Sequence, residues 1–180
     1  MALNLPPPLL TERLDLRLPV AGDLDAMAAI VSHAETARHL GPGNGLPDYF
    51  VRFSRNAGSW LLYGYGWFIV RLRGTEEVIG NCGVFHSWRG LGEDFDDSPE
   101  AGWILRSDQV GRGLAHEAAS AAVDWFEREH GPRRVVCMTA PENEPSIRLA
   151  GKLGFTPLRG AMLPEGVAVK LFERVPPAQG

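Results

Sequence analysis

The chain is poor in the features that mark several protein classes. It has only two cysteines, Cys82 and Cys137, in separate apolar segments and without a Cys-x-x-Cys pair or nearby histidines at metal spacing. That excludes a disulfide scaffold and a zinc ribbon, leaves two reduced buried thiols, and gives no metal site. No run approaches the roughly 18 apolar residues of a membrane span. The start, Met1 to Pro8, has no basic region, and its prolines break any apolar stretch, so neither a secretory leader nor an anchor is expected. Excess positive charge is also missing. The formal net charge is −4, so no bulk field draws nucleic acid or an anionic membrane. The Arg133-Arg134 pair reads as solvated surface. The expected location is cytoplasmic. Tyrosine is scarce and early, at Tyr49, Tyr63 and Tyr65 only.

What is present fits one domain spanning residues 1–180, with 44% hydrophobic residues. Leu10 to Leu18 alternates apolar and polar residues apart from Glu12, which predicts a half-buried strand. Asp23 is placed to cap a helix running to about His33. Gly41 to Gly45 is a loop, Pro47 to Leu62 a second helix, and Gly64-Tyr65-Gly66 its stop. Trp67–Leu72 and Val78–Phe85 form a hairpin across Gly74–Glu77. The acidic segment Gly92–Pro99 reads as a mobile loop that could attract a cationic substrate. Strands over Glu100–Leu105 and Arg134–Thr139 flank a helix from Leu114 to His130. A short helix covers Asn143–Leu153, a last strand pair follows at Phe155–Leu158 and Val167–Phe172, and the tail from Pro176 frays. Hairpins mixed with strand–helix–strand units predict an α/β (α+β) fold, with a central mixed, mostly antiparallel sheet and helices on both faces.

The most informative stretch is Val110-Gly111-Arg112-Gly113-Leu114-Ala115-His116-Glu117. A strand, a glycine turn and a helix in succession present free backbone N–H groups at a helix N-terminus, where the dipole favours an anion such as phosphate. A Gly-x-Gly at such a junction also serves as a plain tight turn. A P-loop is excluded because no Gly-Lys-Ser/Thr follows. The dinucleotide fingerprint is excluded because His116 occupies the third glycine position.

The element order, the glycine turn after the fourth strand and the Asn-initiated helix after the fifth resemble the GNAT acyltransferase superfamily. The opening Leu10-Thr11-Glu12-Arg13-Leu14-Asp15-Leu16-Arg17 is similar to the branch that acetylates ribosomal-protein N-termini. Asn143-Glu144-Pro145-Ser146 through Gly154-Phe155 completes the likeness, which covers essentially the whole chain. The resemblance implies acetyl-CoA as co-substrate. Its pyrophosphate would lie on the backbone of Gly111, Arg112, Gly113, Leu114 and Ala115, and its pantetheine along Trp103, Ile104 and Leu105. That strand is expected to splay from its neighbour containing Cys137. The family often has Gln or Arg where Val110 stands, with Gln109 one residue off; main-chain contacts make this departure tolerable.

The implied reaction is attack of an amine on the acetyl thioester. At pH 7, deprotonating a lysine amine of pKa about 10.4 costs roughly 4.6 kcal/mol, and an α-amine of pKa about 8 roughly 1.4. A protein N-terminal α-amine therefore needs only a modest base. A free backbone N–H near Leu105 can serve the developing oxyanion. Glu100, at the start of the cofactor strand and on the face opposite Ala101, Trp103 and Leu105, is the first candidate base; the plain reading is a strand-end carboxylate in solvent. His86 is the next candidate. His116 reads as a packing or cofactor-edge residue, and Glu117 as a charge partner of the helix N-terminus. Asn143 is both a good N-cap and the match to a pantetheine-binding asparagine. Ser146 sits at the third helical position and matches a serine near the departing sulfur. The late tyrosine that many family members use as acid is missing, so Ser146, water or direct thiolate departure must serve. The acceptor pocket is expected from Gly41–Gly45, the second helix and the last hairpin. Partners are thus acetyl-CoA and an amine acceptor, with a homodimer allowed and neither nucleic acid nor membrane expected. The alternatives are a small-amine acetyltransferase, for an aminoglycoside or polyamine, and a non-catalytic acyl-CoA-binding module.

Overall fold

The computed structural model describes residues 6–40 and 45–176. The expected loop over Gly41–Gly45 therefore falls outside the described residues except for Gly45, as do Met1 to Leu5 and the tail beyond Pro176. The elements are β1 (Leu9–Leu10), β2 (Leu14–Arg17), α1 (Leu24–Ser32), α2 (Ala34–Ala37), α3 (Leu46–Tyr63), β3 (Trp67–Leu72), β4 (Val78–His86), β5 (Pro99–Leu105), α4 (Leu114–His130), β6 (Val135–Thr139), α5 (Glu144–Lys152), β7 (Thr156–Met162) and β8 (Ala168–Arg174). The eight strands form one sheet in the order β1-β2-β3-β4-β5-β6-β8-β7. Every neighbouring pair is antiparallel except β5–β6. The mixed, mostly antiparallel sheet expected from the pattern is present.

The strand pattern assigns the two faces. Leu14, Leu16, Phe68, Val70, Cys82, Val84, Ala101 and Leu105 point to one side, where α4 and α5 bring Leu114, Ala118, Ala122, Phe126, Leu149 and Leu153. The small buried residues of α4, Ala118, Ala119 and Ala122, let it lie close to the strands. On the opposite face Ile69 packs with Met27 and Ile30 of α1, and Tyr49 and Phe53 of α3 border the cluster. The far end of α3 is fastened to the sheet by Trp60, whose Nε1–H donates to the Trp67 carbonyl at 2.9 Å. Among the described residues no helix is long and apolar enough to cross a membrane.

Four local expectations are corrected. The single strand over Leu10–Leu18 is two short strands, because Thr11 N–H bonds the Leu14 carbonyl and closes a tight turn. Glu12 breaks the alternation because it sits exposed in that turn. Asp23 makes no side-chain cap on α1. Its carboxylate instead takes both terminal nitrogens of Arg17, at 2.7 and 2.6 Å, and the Val20 N–H at 2.8 Å. The acidic loop is folded rather than mobile: Phe95 is 1% exposed, and Asp96 accepts the backbone N–H groups of Arg89, Leu91 and Gly92. Arg134 is half-buried, not solvated. It donates to Glu173, Ser98 and the Asp94 carbonyl.

Glu117 ties the chain's beginning to the glycine turn. Its Oε1 accepts the Thr11 hydroxyl at 2.6 Å and the Arg13 N–H at 2.8 Å, and its Oε2 accepts Arg13 Nε at 2.7 Å. Arg13 then donates to the Arg112 carbonyl at 2.9 Å, inside the turn. The charge-partner reading of Glu117 holds, with a more distant partner than a helix end. Burial pushes the Glu117 carboxyl up, but the hydrogen bonds from Thr11 and Arg13 outweigh it and hold its pKa below the ordinary glutamate value. A depressed carboxyl pKa stabilises the fold above the unfolded value, about 4.3, and that stabilisation is lost as pH falls through the folded value. Glu117→Gln should therefore cost about 1–3 kcal/mol near neutrality. In chemical denaturation from pH 7 down to 3, the gap between wild type and variant should shrink below about pH 4.3; a constant gap would remove the ion pair as its cause.

Candidate active site

The parallel pair is where the sheet opens. β5 and β6 are in register only at Glu100 and Val136. Beyond that point, among the described residues, β5 is paired to β4 alone, so one edge of Ala101–Leu105 keeps free backbone groups. The splay expected between these strands is therefore present. A cavity of about 830 Å³ occupies the opening. Its walls come from β5, the β6–α5 connection, α3 and the β7–β8 hairpin. The second helix and last hairpin line it as expected, and Gly45 does too.

Five of the sequence-derived site residues meet in this cavity: Glu100, Trp103, Ile104, Asn143 and Ser146. Asn143 caps α5, its Oδ1 accepting the Ser146 N–H at 3.2 Å. That bond uses only the amide oxygen; the NH₂ makes no hydrogen bond among the described residues. Trp103 Nε1–H reaches across the opening to Ser146 Oγ at 3.2 Å. Because the indole can only donate, it leaves the Ser146 hydroxyl proton free to be given elsewhere.

Glu100 is not a solvated strand end. It is 3% exposed and receives Arg89 in a bidentate pair, Nε at 2.9 Å and Nη2 at 2.8 Å, with the Ser87 hydroxyl as a third donor. The folded acidic loop makes this pair, since Asp96 holds the Arg89 N–H while the Arg89 guanidinium lies 5.9 Å from the Phe85 ring centre. Asp94, in the same loop, is bound by Arg159 at 2.6 Å. Of the loop's four acids, Asp96 is buried and bound to backbone N–H groups, while Glu93, Asp94 and Asp97 are exposed.

The remaining site residues lie along the strand and beyond its end. Leu105 is buried in the core. Gly111 and Gly113 have φ of +83° and +79°, the left-handed region that side chains rarely adopt. Gly113 is the N-cap of α4, so the turn ends at the first free N–H groups of Leu114 and Ala115. It borders a shallow depression of about 480 Å³, with His116 and Lys152 beside it. Arg112 donates to Gln109 Oε1 at 2.6 Å, and Val110 is exposed. His86 does not line the cavity; its Nε2 is 3.3 Å from Asp97, and its ring stacks on Tyr63.

Sequence reasoning passed over four residues of the cavity wall: Trp67, Asn81, Arg55 and Tyr49. Asn81 is 4% exposed, and among the described residues its Oδ1 has no hydrogen-bond partner; the Trp67 Nε1–H is likewise buried and unpartnered there. A polar residue in the middle of the apolar run Val78–Phe85 was the available signal for Asn81. The Trp67 ring lies across Gly102, where a Cβ would come within 2.8 Å of it. Burial pushes the Tyr49 phenol up to about 12 against the opposing charge of Arg52, so it stays protonated.

The arrangement suits an extended ligand with an anionic end. A free strand edge accepts amide groups, and a glycine-capped helix N-terminus accepts phosphate. Among the described residues no cluster of His, Cys, Asp and Glu is grouped to hold a metal.

The family description for the acetyltransferase (GNAT) domain matches residues 13–156. A protein assigned to the GNAT acetyltransferase family, from Bordetella pertussis, is 32% identical, with 94% of this chain and 100% of that one covered at a TM-score of 0.84. An uncharacterized N-acetyltransferase, p20, from Bacillus licheniformis is 29% identical over 152 residues, 82% of this chain and 81% of its own. An acetyl transferase from Salmonella typhimurium that modifies the N-terminal serine of 50S ribosomal subunit protein L7/L12 shares the fold, at 15% identity and a TM-score of 0.75 over 94% of this chain and 99% of that one. With a splayed parallel pair, a glycine-capped helix and a domain match over most of its length, the chain belongs to the GNAT family of acetyltransferases.

Proposed function

We propose that the chain transfers the acetyl group of acetyl-CoA to a primary amine, and that the acceptor is a protein N-terminal α-amine. The observation that carries the cofactor reading is the single register pair between β5 and β6, which leaves a free strand edge running toward the glycine turn. On this reading the backbone N–H groups of Gly111 to Ala115 receive the pyrophosphate. The Trp103–Leu105 edge receives the pantetheine amides, together with the Asn143 NH₂. Acetyl-CoA supplies an activated thioester. The residues around it orient the acceptor, exclude water and return a proton to sulfur, and the Ser146 hydroxyl, held by Trp103 Nε1–H, is the donor.

The acceptor reading rests on proton chemistry. The buried carboxylate of the cavity, Glu100, is already engaged by Arg89 and Ser87. Both of its oxygens already accept hydrogen bonds, so Glu100 acts by fixing Arg89 in the wall. Without a free strong base, an α-amine, about 1.4 kcal/mol from its neutral form at pH 7, is a far easier acceptor than a lysine side chain at about 4.6. The opening Thr11-Glu12-Arg13 and the shared fold with the Salmonella enzyme point the same way.

Acetyl-CoA at a hundredfold excess over its Kd should stabilise the protein by about 2.7 kcal/mol in a thermal shift. Gly113→Val, which forces a branched side chain into a left-handed turn beside Arg13, should weaken that binding tenfold or more; wild-type affinity would contradict the turn assignment. In a thiol-release assay with an N-terminal peptide, Ser146→Ala should lower kcat by about 10²-fold with little change in acetyl-CoA affinity. An unchanged kcat would dismiss the hydroxyl as donor, and no thiol release from any amine or peptide would leave only the acyl-CoA-binding alternative. Glu100→Gln should reduce the rate evenly between pH 7 and 9. A loss confined to pH 7 and recovered at pH 9 would restore Glu100 as proton acceptor.

A further inference from the structure

The charges lining the cavity are divided in a way the reaction itself does not require. Three arginines, Arg52 and Arg55 from α3 and Arg89 from the β4–β5 loop, stand at its α3 side. Arg52 is paired with Asp48, Nε to Oδ2 at 3.1 Å, and Arg89 with Glu100. Arg55 makes no ion pair or hydrogen bond among the described residues. Arg55 is exposed and lines the cavity; partial burial of its charged end, then Arg89 and Arg52, hold its pKa below the ordinary value against the opposing pull of Glu100 and Asp48. An arginine remains charged under such a shift. It is a cation facing two others, and an anion in the cavity would relieve it.

Two other acids border the cavity, Glu142 before α5 and Glu165 in the β7–β8 turn. Both are exposed, and the carboxylates that act on Arg55 are Glu100 and Asp48 rather than these two. The cavity is therefore polarised, with free cationic charge at α3 and free anionic charge at the α5 and β7–β8 rim. The cofactor's phosphates do not fill the cationic end. Glu100, whose charge reaches Arg55, begins β5, while the glycine turn follows its end, about 17 Å further at 3.3 Å per residue. The unpartnered Asn81 Oδ1 and Trp67 Nε1–H lie in the same walls. Both atoms are buried behind the cavity surface, so Arg55 is the group left to meet a ligand's charge.

We infer that the acceptor is an amine that also carries a carboxylate, and that Arg55 binds that carboxylate while the amine lies toward β5 and the acidic rim. This deepens the acetyltransferase reading and rests on it. The acceptor class is then a protein N-terminus with an acidic side chain in its first residues.

The test compares otherwise identical short peptides beginning Ala-Glu, Ala-Gln and Ala-Lys in the thiol-release assay, with free glutamate as a separate arm. The Ala-Glu peptide should exceed Ala-Gln by about tenfold in kcat/KM, equivalent to about 1.4 kcal/mol, and Ala-Lys should be poorest. Arg55→Gln should collapse that ratio toward one by raising the KM of the acidic peptide, and Arg55→Lys should retain part of it. Equal rates for the three peptides, a preference for Ala-Lys, or a preference that survives Arg55→Gln would overturn the inference. Free glutamate outperforming the peptides would keep the carboxylate and transfer the acceptor to a small amino acid. If no acceptor releases thiol, the transferase reading fails. Calorimetric titration of the same peptides into the CoA-loaded protein then decides the acceptor question separately: tighter binding of Ala-Glu supports it and equal binding refutes it.

Discussion

One parallel strand pair in an otherwise antiparallel sheet sets the geometry of this molecule. Antiparallel neighbours can be joined by a tight turn, but parallel neighbours need a crossover that carries the chain back along the sheet. Here the crossover is α4, 17 residues and therefore about 25 Å long. Its N-terminus must lie near the end of β5, and Gly111 and Gly113 make the reversal there. Because α4 packs on the core face beneath β4 and β5, it does not force β5 and β6 together along their length. They touch at Glu100–Val136 and diverge. The anion-accepting helix end and the open strand edge thus follow from the same topological feature.

That geometry is held by charged groups used internally. Glu117 binds Thr11 and Arg13, and Arg13 reaches the Arg112 carbonyl. The turn is thereby fastened to the first hairpin from more than 90 residues away in sequence. On the other side of the cavity Asp96 folds the loop that delivers Arg89 to Glu100. These are hydrogen-bonded, partly buried pairs, for which losing one partner leaves the other uncompensated. Their role is to fix the positions of a turn and of a wall. The acidic loop illustrates the difference between charge in a sequence and charge available to a ligand: of four carboxylates in five residues, Asp94 is bound by Arg159 and Asp96 by backbone N–H groups.

Much of this was legible before the structure, and the reasons differ by element. The glycine turn and the helical stretch behind it located α4, and two apolar runs on either side of Gly74–Glu77 located the β3–β4 hairpin, because such local signals depend on neighbouring residues alone. Asn143 was read as an N-cap because capping depends on the next three residues only. Glu100 was found as a cavity residue but not as a partner of Arg89, since that pair depends on how the segment between them folds. Thr11 and Arg13 carried a family likeness without a physical reason until Glu117 supplied it over a long separation. Arg55 and Trp67 were invisible for a similar reason: an arginine on a polar helix face and a tryptophan in an apolar strand look ordinary until a cavity is found beside both.

The committed state of Glu100 constrains the chemistry more than any other side chain in the site. Its two oxygens take Arg89, and one of them also takes a serine hydroxyl, so the carboxylate is occupied in fixing the wall. On the proposed reading, proton removal from the acceptor amine falls to water or to the exposed rim acids, both weak bases, which favours amines whose neutral form is already near at hand. Selection by intrinsic pKa discriminates between an α-amine and a lysine by about 3 kcal/mol before any contact is made. On the proposed reading, recognition by the cavity walls has then only to choose among N-termini, a task suited to Arg55, which makes no ion pair among the described residues.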